Sequence, residues 1–259
     1  VVAFGTSSPE LAVSVKAALA GQADIALGNV VGSNIFNVLG ILGLSALAVP
    51  LVVSRQLLKL DLPLMIAVSL LLPVLSLDGR IGRGEGAALL LGLILYILVL
   101  LRLAQRQKLA RTVEVPTTPA TAPRFRCEFG HAIMCLVGLA ALALGARWLV
   151  TGASEIARML GIGELLIGLT IVAVGTSLPE LVTSFVAGLH GERDIAVGNI
   201  VGSNLFNLLG VLGAAAMIGH NGVAVSAAAL HFDIPVMVAA AVACLPIFLT
   251  GREISRAEG

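Results

Sequence analysis

Residues 28–43 read GNVVGSNIFNVLGILG and residues 198–213 read GNIVGSNLFNLLGVLG. The match holds at a constant offset of 170 and extends without a gap over 3–43 against 173–213, where 26 of 41 positions are identical. It continues more weakly through Asp61 and Pro63 against Asp233 and Pro235, then through GRIGRGEG (79–86) against GREISRAEG (251–259). A self-match of this length means that one structural unit occurs twice, so the fold has to be read as a pair of copies.

Apolar residues make up 58% of the 259 positions and charged residues 12%, and the mean hydropathy is +1.03. A water-soluble domain carries roughly twice that charged fraction. The apolar residues also run in blocks rather than in the spaced stripes of water-facing helices. Eight spans follow: 1–20, 25–47, 61–77, 86–103, 131–150, 164–189, 195–218 and 233–250. Most approach or reach the ~17–25 residues that a helix needs to cross a bilayer. The expected fold class is an all-α polytopic membrane protein, with the lipid bilayer as its partner. The 29 glycines suit closely packed membrane helices. Three cysteines, at 127, 135 and 244, have neither disulfide nor zinc spacing.

The segment 102–130 carries Arg102, Arg106, Lys108, Arg111, Arg124 and Arg126 around VPTTPATAP, the composition of a solvated linker. It divides a first membrane half, 1–101, from a second, 131–259. The face holding this linker also collects Arg55, Lys59, Arg193, Arg252 and Arg256, eleven basic residues against Arg80, Arg83 and Arg158 on the other. The linker is therefore expected on the cytoplasmic side of a cell (inner) membrane. Five spans separate corresponding points of the two copies, and an odd number inverts one copy relative to the other. Inverted repeats of this kind build substrate sites near the bilayer midplane, often on interrupted helices. Matching the copies also leads to a parent of ten spans, with the first and last missing here.

GTSSPEL (5–11) and GTSLPEL (175–181) place a carboxyl inside each copy. On a helix, Thr6, Ser7 and Glu10 share a face, as do Thr176, Ser177 and Glu180. Pro9 and Pro179 have no N–H to give to Gly5 and Gly175, so unpaired backbone carbonyls are expected at membrane depth. Ser33 and Asn37 lie four residues apart, as do Ser203 and Asn207. Neither motif holds Cys or His, and an all-oxygen set with two carboxylates suits a hard cation such as Ca²⁺. Two buried carboxylates must be neutralised by a divalent ion, monovalent ions or protons, which is the basis of exchange.

Other polar residues have plainer explanations. Asp24 and Asp194 precede helices and fit N-caps, and Asp61 and Asp233 fit helix starts two residues before a proline. His131, His190, His220 and His231 fall at span ends, Lys16 snorkels outward, and Arg147–Trp148 reads as an interface anchor. GRIGRGEG has no following Lys-Ser/Thr and is not read as a phosphate loop.

The two motif pairs, VAFGTSSPEL with GNVVGSNIFN and VAVGTSLPEL with GNIVGSNLFN, resemble the alpha-repeats of the sodium/calcium exchanger family, part of the cation/Ca²⁺ antiporter superfamily. The likeness covers nearly the whole chain and looks most like the prokaryotic branch. It implies an inverted-repeat exchanger fold, transported Ca²⁺ and Na⁺, no cofactor and no nucleic-acid partner. By position, the implied ligands are the Ala3 carbonyl, Thr6, Ser7, Glu10, Ser33 and Asn37, with the Ala173 carbonyl, Thr176, Ser177, Glu180, Ser203 and Asn207. It also implies a gating pair made of the first span of each half, of which 131–150 is present, so the chain alone is not expected to transport. Potassium-dependent relatives, and some others, carry an acid where this chain has Asn207, so potassium independence is expected. The leading expectation is Ca²⁺ export driven by Na⁺, not enzymatic catalysis. A Ca²⁺/H⁺ antiporter is the nearest rival, with an intramembrane two-carboxyl hydrolase and a passive channel behind it.

Overall fold

The computed structural model describes residues 2–114, 125–250 and 253–259. The first half begins with two short helices, α1 (Val2–Thr6) and α2 (Ser8–Leu19). It continues through α3 (Ala23–Ala48), α4 (Leu57–Leu75) and α5 (Arg83–Glu114). The second half holds α6 (Phe125–Met159), the bent pair α7 (Glu164–Thr176) and α8 (Leu178–Leu189), then α9 (Arg193–Ile218) and α10 (Ala229–Leu249). The fold is the inverted-repeat, all-α membrane architecture expected, with α3 and α9 as corresponding central helices.

Five helices are long and apolar enough to cross a membrane by themselves, namely α3, α4, the Arg83–Arg106 part of α5, α9 and α10. The pair α7–α8, bent by 43°, makes a sixth. The remaining two of the eight expected spans are also helical, as α1–α2 and within α6. Helix also occupies 102–114 and 125–130 of the segment read as a linker, and 115–124 lies outside the described residues.

Burial separates the layers. Within their most apolar windows α9 is 83% buried and α3 61%, whereas α5 is only 6% buried. The outer helices present Leu70, Leu71, Val74, Leu91, Ile94, Leu95, Leu98 and Leu245 outward. An apolar shell of that extent belongs against lipid, not water. Trp148 is 74% exposed, as an interface anchor would be.

Glycine sets how closely the core helices approach. A Cβ on Gly28 would lie 3.0 Å from the Leu165 oxygen and the Leu169 nitrogen, and one on Gly32 would meet the Ala173 Cβ at 2.8 Å. From the other side, a Cβ on Gly168 would lie 3.2 Å from the Asp24 oxygen. Helices α3 and α7 thus cross backbone to backbone, which any larger side chain would prevent.

Two short strand pairs fasten the halves together. Strand β1 (Leu51–Val52) follows α3 and pairs antiparallel with β4 (Glu253–Ile254), which follows α10. Strand β2 (Arg80–Ile81) follows α4 and pairs with β3 (Val223–Ala224), which follows α9. Each pair takes one strand from each half, and the two pairs lie at opposite ends of the helices that separate them.

Two helix-start expectations need correction. Helix α3 begins at Ala23 and α9 at Arg193, so Asp24 and Asp194 sit inside the first turn and make no cap bond. They still face the positive end of the helix dipole. Asp61 and Asp233 do not open their helices either, because α4 and α10 start at Leu57 and Ala229. Wider π-type turns, with i→i+5 bonds, occupy Leu57–Asp61 and Ala229–Asp233 and carry the helix through those positions. Asp61 instead accepts a 2.9 Å hydrogen bond from the Tyr96 hydroxyl of α5.

Candidate functional site

The interruption of each motif helix falls on a serine. Ser7, between α1 and α2, has ψ 12°, and Ser177, between α7 and α8, has ψ 7°, where a continuing helix needs about −42°. Pro9 and Pro179 follow in the first turn of the next helix, where a missing N–H is tolerated. A second irregularity lies on the facing helices. Phe36–Leu42 and Asn207–Val211 are π-helical and carry Asn37 and Asn207. Such turns leave backbone and side chains re-aimed relative to a regular helix and are frequent at functional sites.

These elements bury the expected side chains and bring both glutamates to serines. Thr6, Ser7, Glu10, Ser33, Asn37, Thr176, Ser177, Glu180, Ser203 and Asn207 are all buried, and both glutamates are 0% exposed. The contacts cross between the halves. Ser177 Oγ donates to Glu10 Oε1 at 3.0 Å, and Ser7 Oγ donates to Glu180 Oε1 at 2.5 Å. Ser203 Oγ also donates to Glu180 Oε1, at 3.3 Å. Each half therefore supplies the hydroxyl that holds the other half's carboxyl.

The oxygens left over are the informative ones. Glu10 Oε2, Glu180 Oε2, Asn37 Oδ1 and Asn207 Oδ1 are buried and have no hydrogen-bond partner. A buried unpaired acceptor costs about 1–3 kcal/mol, and more when charged, so each of these four calls for a donor or a cation. The ion pairs among the described residues, Arg80–Asp78 and Arg158–Glu164, are exposed and lie elsewhere. Also among the described residues, no group of three His, Cys, Asp or Glu side chains is placed to hold a metal. The oxygens bonded to the two carboxyls are serine hydroxyls instead, hard donors like the carboxylates themselves.

The backbone part of the expected site is more constrained. The carbonyls of Ala3 and Ala173 keep their helix bonds from Ser7 N–H (3.0 Å) and Ser177 N–H (3.1 Å). They also accept side-chain hydroxyls: Thr6 at 3.3 Å on Ala3, and Thr176 at 3.3 Å and Ser33 at 3.4 Å on Ala173. Neither is freed by the break, because the N–H removed by each proline would have reached Gly5 or Gly175.

Several polar residues of the site escaped the motif reading. Asn29 donates to Ser14 Oγ (2.8 Å) and to the Glu10 carbonyl (3.2 Å), and accepts from Thr176 Oγ1 (2.9 Å). Asn199 donates to Ser184 Oγ at 3.0 Å. Asn34 and Asn204 bond the amides of Asn207 and Asn37. All of these asparagines and serines recur at the 170 offset, and that recurrence is the signal that could have found them. Asn199 also lines a cavity of about 350 Å³ between α1, α4, α5 and α9, together with Ala3, Asp61, Tyr96 and Gly202.

Comparison with known proteins agrees with this fold. The family model described as sodium/calcium exchanger protein matches residues 1–102 and 130–259. The chain is 40% identical over 265 residues to the putative antiporter CaxA of Alkalimonas amylolytica, covering 100% of this chain and 81% of that protein. It is 34% identical over 290 residues to the sodium/calcium exchanger MaX1 of Methanosarcina acetivorans, covering 100% and 82%. Among solved structures, the sodium-calcium exchanger NCX_Mj soaked with Na⁺ and Ca²⁺ superposes with a TM-score of 0.77 at 28% identity, over 99% of this chain and 79% of that one.

Proposed function

The chain belongs to the sodium/calcium exchanger family, a family of antiporters, and on that premise we propose that it exchanges Ca²⁺ for Na⁺ by alternating access at the buried site between α2, α3, α8 and α9. The observation that carries this reading is the set of four unpartnered buried oxygens, two of them carboxylate. Two negative charges and several neutral oxygens neutralise one Ca²⁺, and Ca²⁺ takes about 6–8 oxygens in a flexible cage. The proposed ligands are Thr6, Ser7, Glu10, Ser33, Asn37 and the Ala3 carbonyl, with Thr176, Ser177, Glu180, Ser203, Asn207 and the Ala173 carbonyl. Na⁺ competes for the same hydroxyl and carbonyl oxygens, so occupancy by one ion expels the other. With Asn at both 37 and 207 the site holds two acids, and K⁺ is not required. The protein sits in the cell membrane with the 102–130 segment on the cytoplasmic side, as the distribution of Arg and Lys supports.

One observation favours a second reading. Each carboxylate has no cationic side-chain partner among the described residues and one bare oxygen, so protons could neutralise it in place of Na⁺, giving Ca²⁺/H⁺ exchange. Binding of radiolabelled Ca²⁺ to the purified chain separates the two. Na⁺ at fixed pH is expected to displace Ca²⁺, and K⁺ is not. Displacement that follows pH and ignores Na⁺ would replace the first reading with the second.

A further inference from the structure

Four buried side chains outside the proposed ligand set form two hydrogen-bond chains that end on it. In one, Asn34 Nδ2 donates to Met237 Sδ (3.6 Å), and Asn34 Oδ1 accepts from Asn207 Nδ2 (3.3 Å). In the other, Asn204 Nδ2 donates to Met65 Sδ (3.6 Å) and to the Asn34 carbonyl (3.4 Å), and Asn204 Oδ1 accepts from Asn37 Nδ2 (2.9 Å). All six side chains are less than 4% exposed. The chains are copies of one another: 34 and 37 map to 204 and 207 at the 170 offset, and 65 maps to 237 on the following helix.

An asparagine amide has two unlike ends. Only its oxygen serves a cation, and its NH₂ repels one, so a ligand amide has to be held the right way round. A thioether sulfur and a backbone carbonyl can only accept, which selects the NH₂ ends of Asn34 and Asn204. Their Oδ1 ends then select the NH₂ ends of Asn207 and Asn37, and the Oδ1 atoms of those two residues are the ones left unpartnered. We propose that Met237–Asn34 and Met65–Asn204 are positioning pairs that fix which end of the Asn207 and Asn37 amides is offered to the bound cation. Each pair reaches across the repeat, since Met237 and Asn207 belong to the second half and Asn34 to the first. The proposal rests on the cation-binding reading of the site.

A carboxylate tests it, because both its ends are oxygen and it needs no orienting. In the otherwise unchanged chain, Asn34→Ala is expected to weaken Ca²⁺ binding about 5–10-fold, the size of one lost buried hydrogen bond. In an Asn207→Asp background that loss should disappear, whereas in an Asn37→Asp background it should persist. The mirror cycle pairs Asn204→Ala with Asn37→Asp, and the volume-conserving Met237→Leu and Met65→Leu carry the same two cycles if an alanine variant fails to fold. Selective coupling of 34 with 207 and of 204 with 37 supports the positioning role. Equal losses in every background mean packing alone and overturn it. A wild-type chain that binds neither Ca²⁺ nor Na⁺ overturns the functional reading and this one with it, a result that needs no variant to recognise.

Discussion

The half carrying Glu10 and the half carrying Glu180 share their motif residues almost one for one, yet those residues are not equally provided for. Glu180 takes two hydroxyls, from Ser7 and Ser203, and Glu10 takes one, from Ser177. Ser33, the counterpart of Ser203, donates to the Ala173 carbonyl instead. Asn29 has its Oδ1 held by Thr176, whereas the Oδ1 of its counterpart Asn199 has no partner. The cause lies in what packs on each central helix. Helix α7 lies along α3 and brings Thr176 to Asn29. On α9 a Cβ at Gly202 would meet the Ala3 Cβ at 3.0 Å. The Thr6 hydroxyl turns back to the Val2 and Ala3 carbonyls. Equal residues therefore do not guarantee equal roles; a repeat duplicates donors and acceptors, and the neighbouring helix decides which of them meet.

The largest expected effect tests the symmetric part of that comparison. Glu10→Gln and Glu180→Gln should each lower Ca²⁺ affinity roughly a hundredfold or more, since each removes half the compensating charge of a desolvated ion. Calorimetric titration of the purified variants reads this, and a loss confined to one glutamate would mean that the carboxylates do not serve a common ion. Packing comes next. Gly28→Ala drives a methyl group into the α7 backbone and should cost about 1–3 kcal/mol of stability. Gly84→Ala, in the first turn of α5, meets nothing within 4 Å and should stay within about 0.5 kcal/mol. Thermal unfolding in detergent compares them, and equal destabilisation would mean that the close approach of α3 and α7 does not set the cost at Gly28. The hydroxyl pair comes last and ends on the smallest single effect. Thr176→Val leaves the Asn29 oxygen unpaired and should cost about 1–3 kcal/mol. Thr6→Val gives up only longer bonds to carbonyls within its own turn and should stay within about 0.5 kcal/mol. The same unfolding measurement decides between them.

Much of this arrangement can be read from the residues because it is written twice. The 170-residue offset marks the motif helices, and the buried glutamates with their serines follow from it. Helix starts were less legible: nothing local reveals that a π-type turn continues α4 through Asp61, since its extra residue leaves the composition unchanged. The break at Ser7 was placed only approximately by Pro9, which forbids a bond to Gly5 without saying which residue takes up the bend. The partners of Glu10 and Glu180 could not be paired from sequence, because Ser177 and Ser7 arrive from 167 and 173 residues away and four serines are chemically equivalent candidates. The contacts of Met65 and Met237 were hidden for another reason. A methionine in an apolar run has the composition of filler, and its sulfur becomes an acceptor only once an amide is packed against it.

The reciprocal strand pairs have a mechanical consequence. Leu51 and Val52 are laced to Ile254 and Glu253 at one end of the bundle, and Arg80 and Ile81 to Ala224 and Val223 at the other. Two such clasps at opposite ends work like a pair of hands gripping each other's wrists. Pulling the halves apart as rigid bodies would unfasten both, and rocking them about either end would strain the other. The helices between the clasps are thereby held as one body, harder to part or to tilt than either clasp alone would make them.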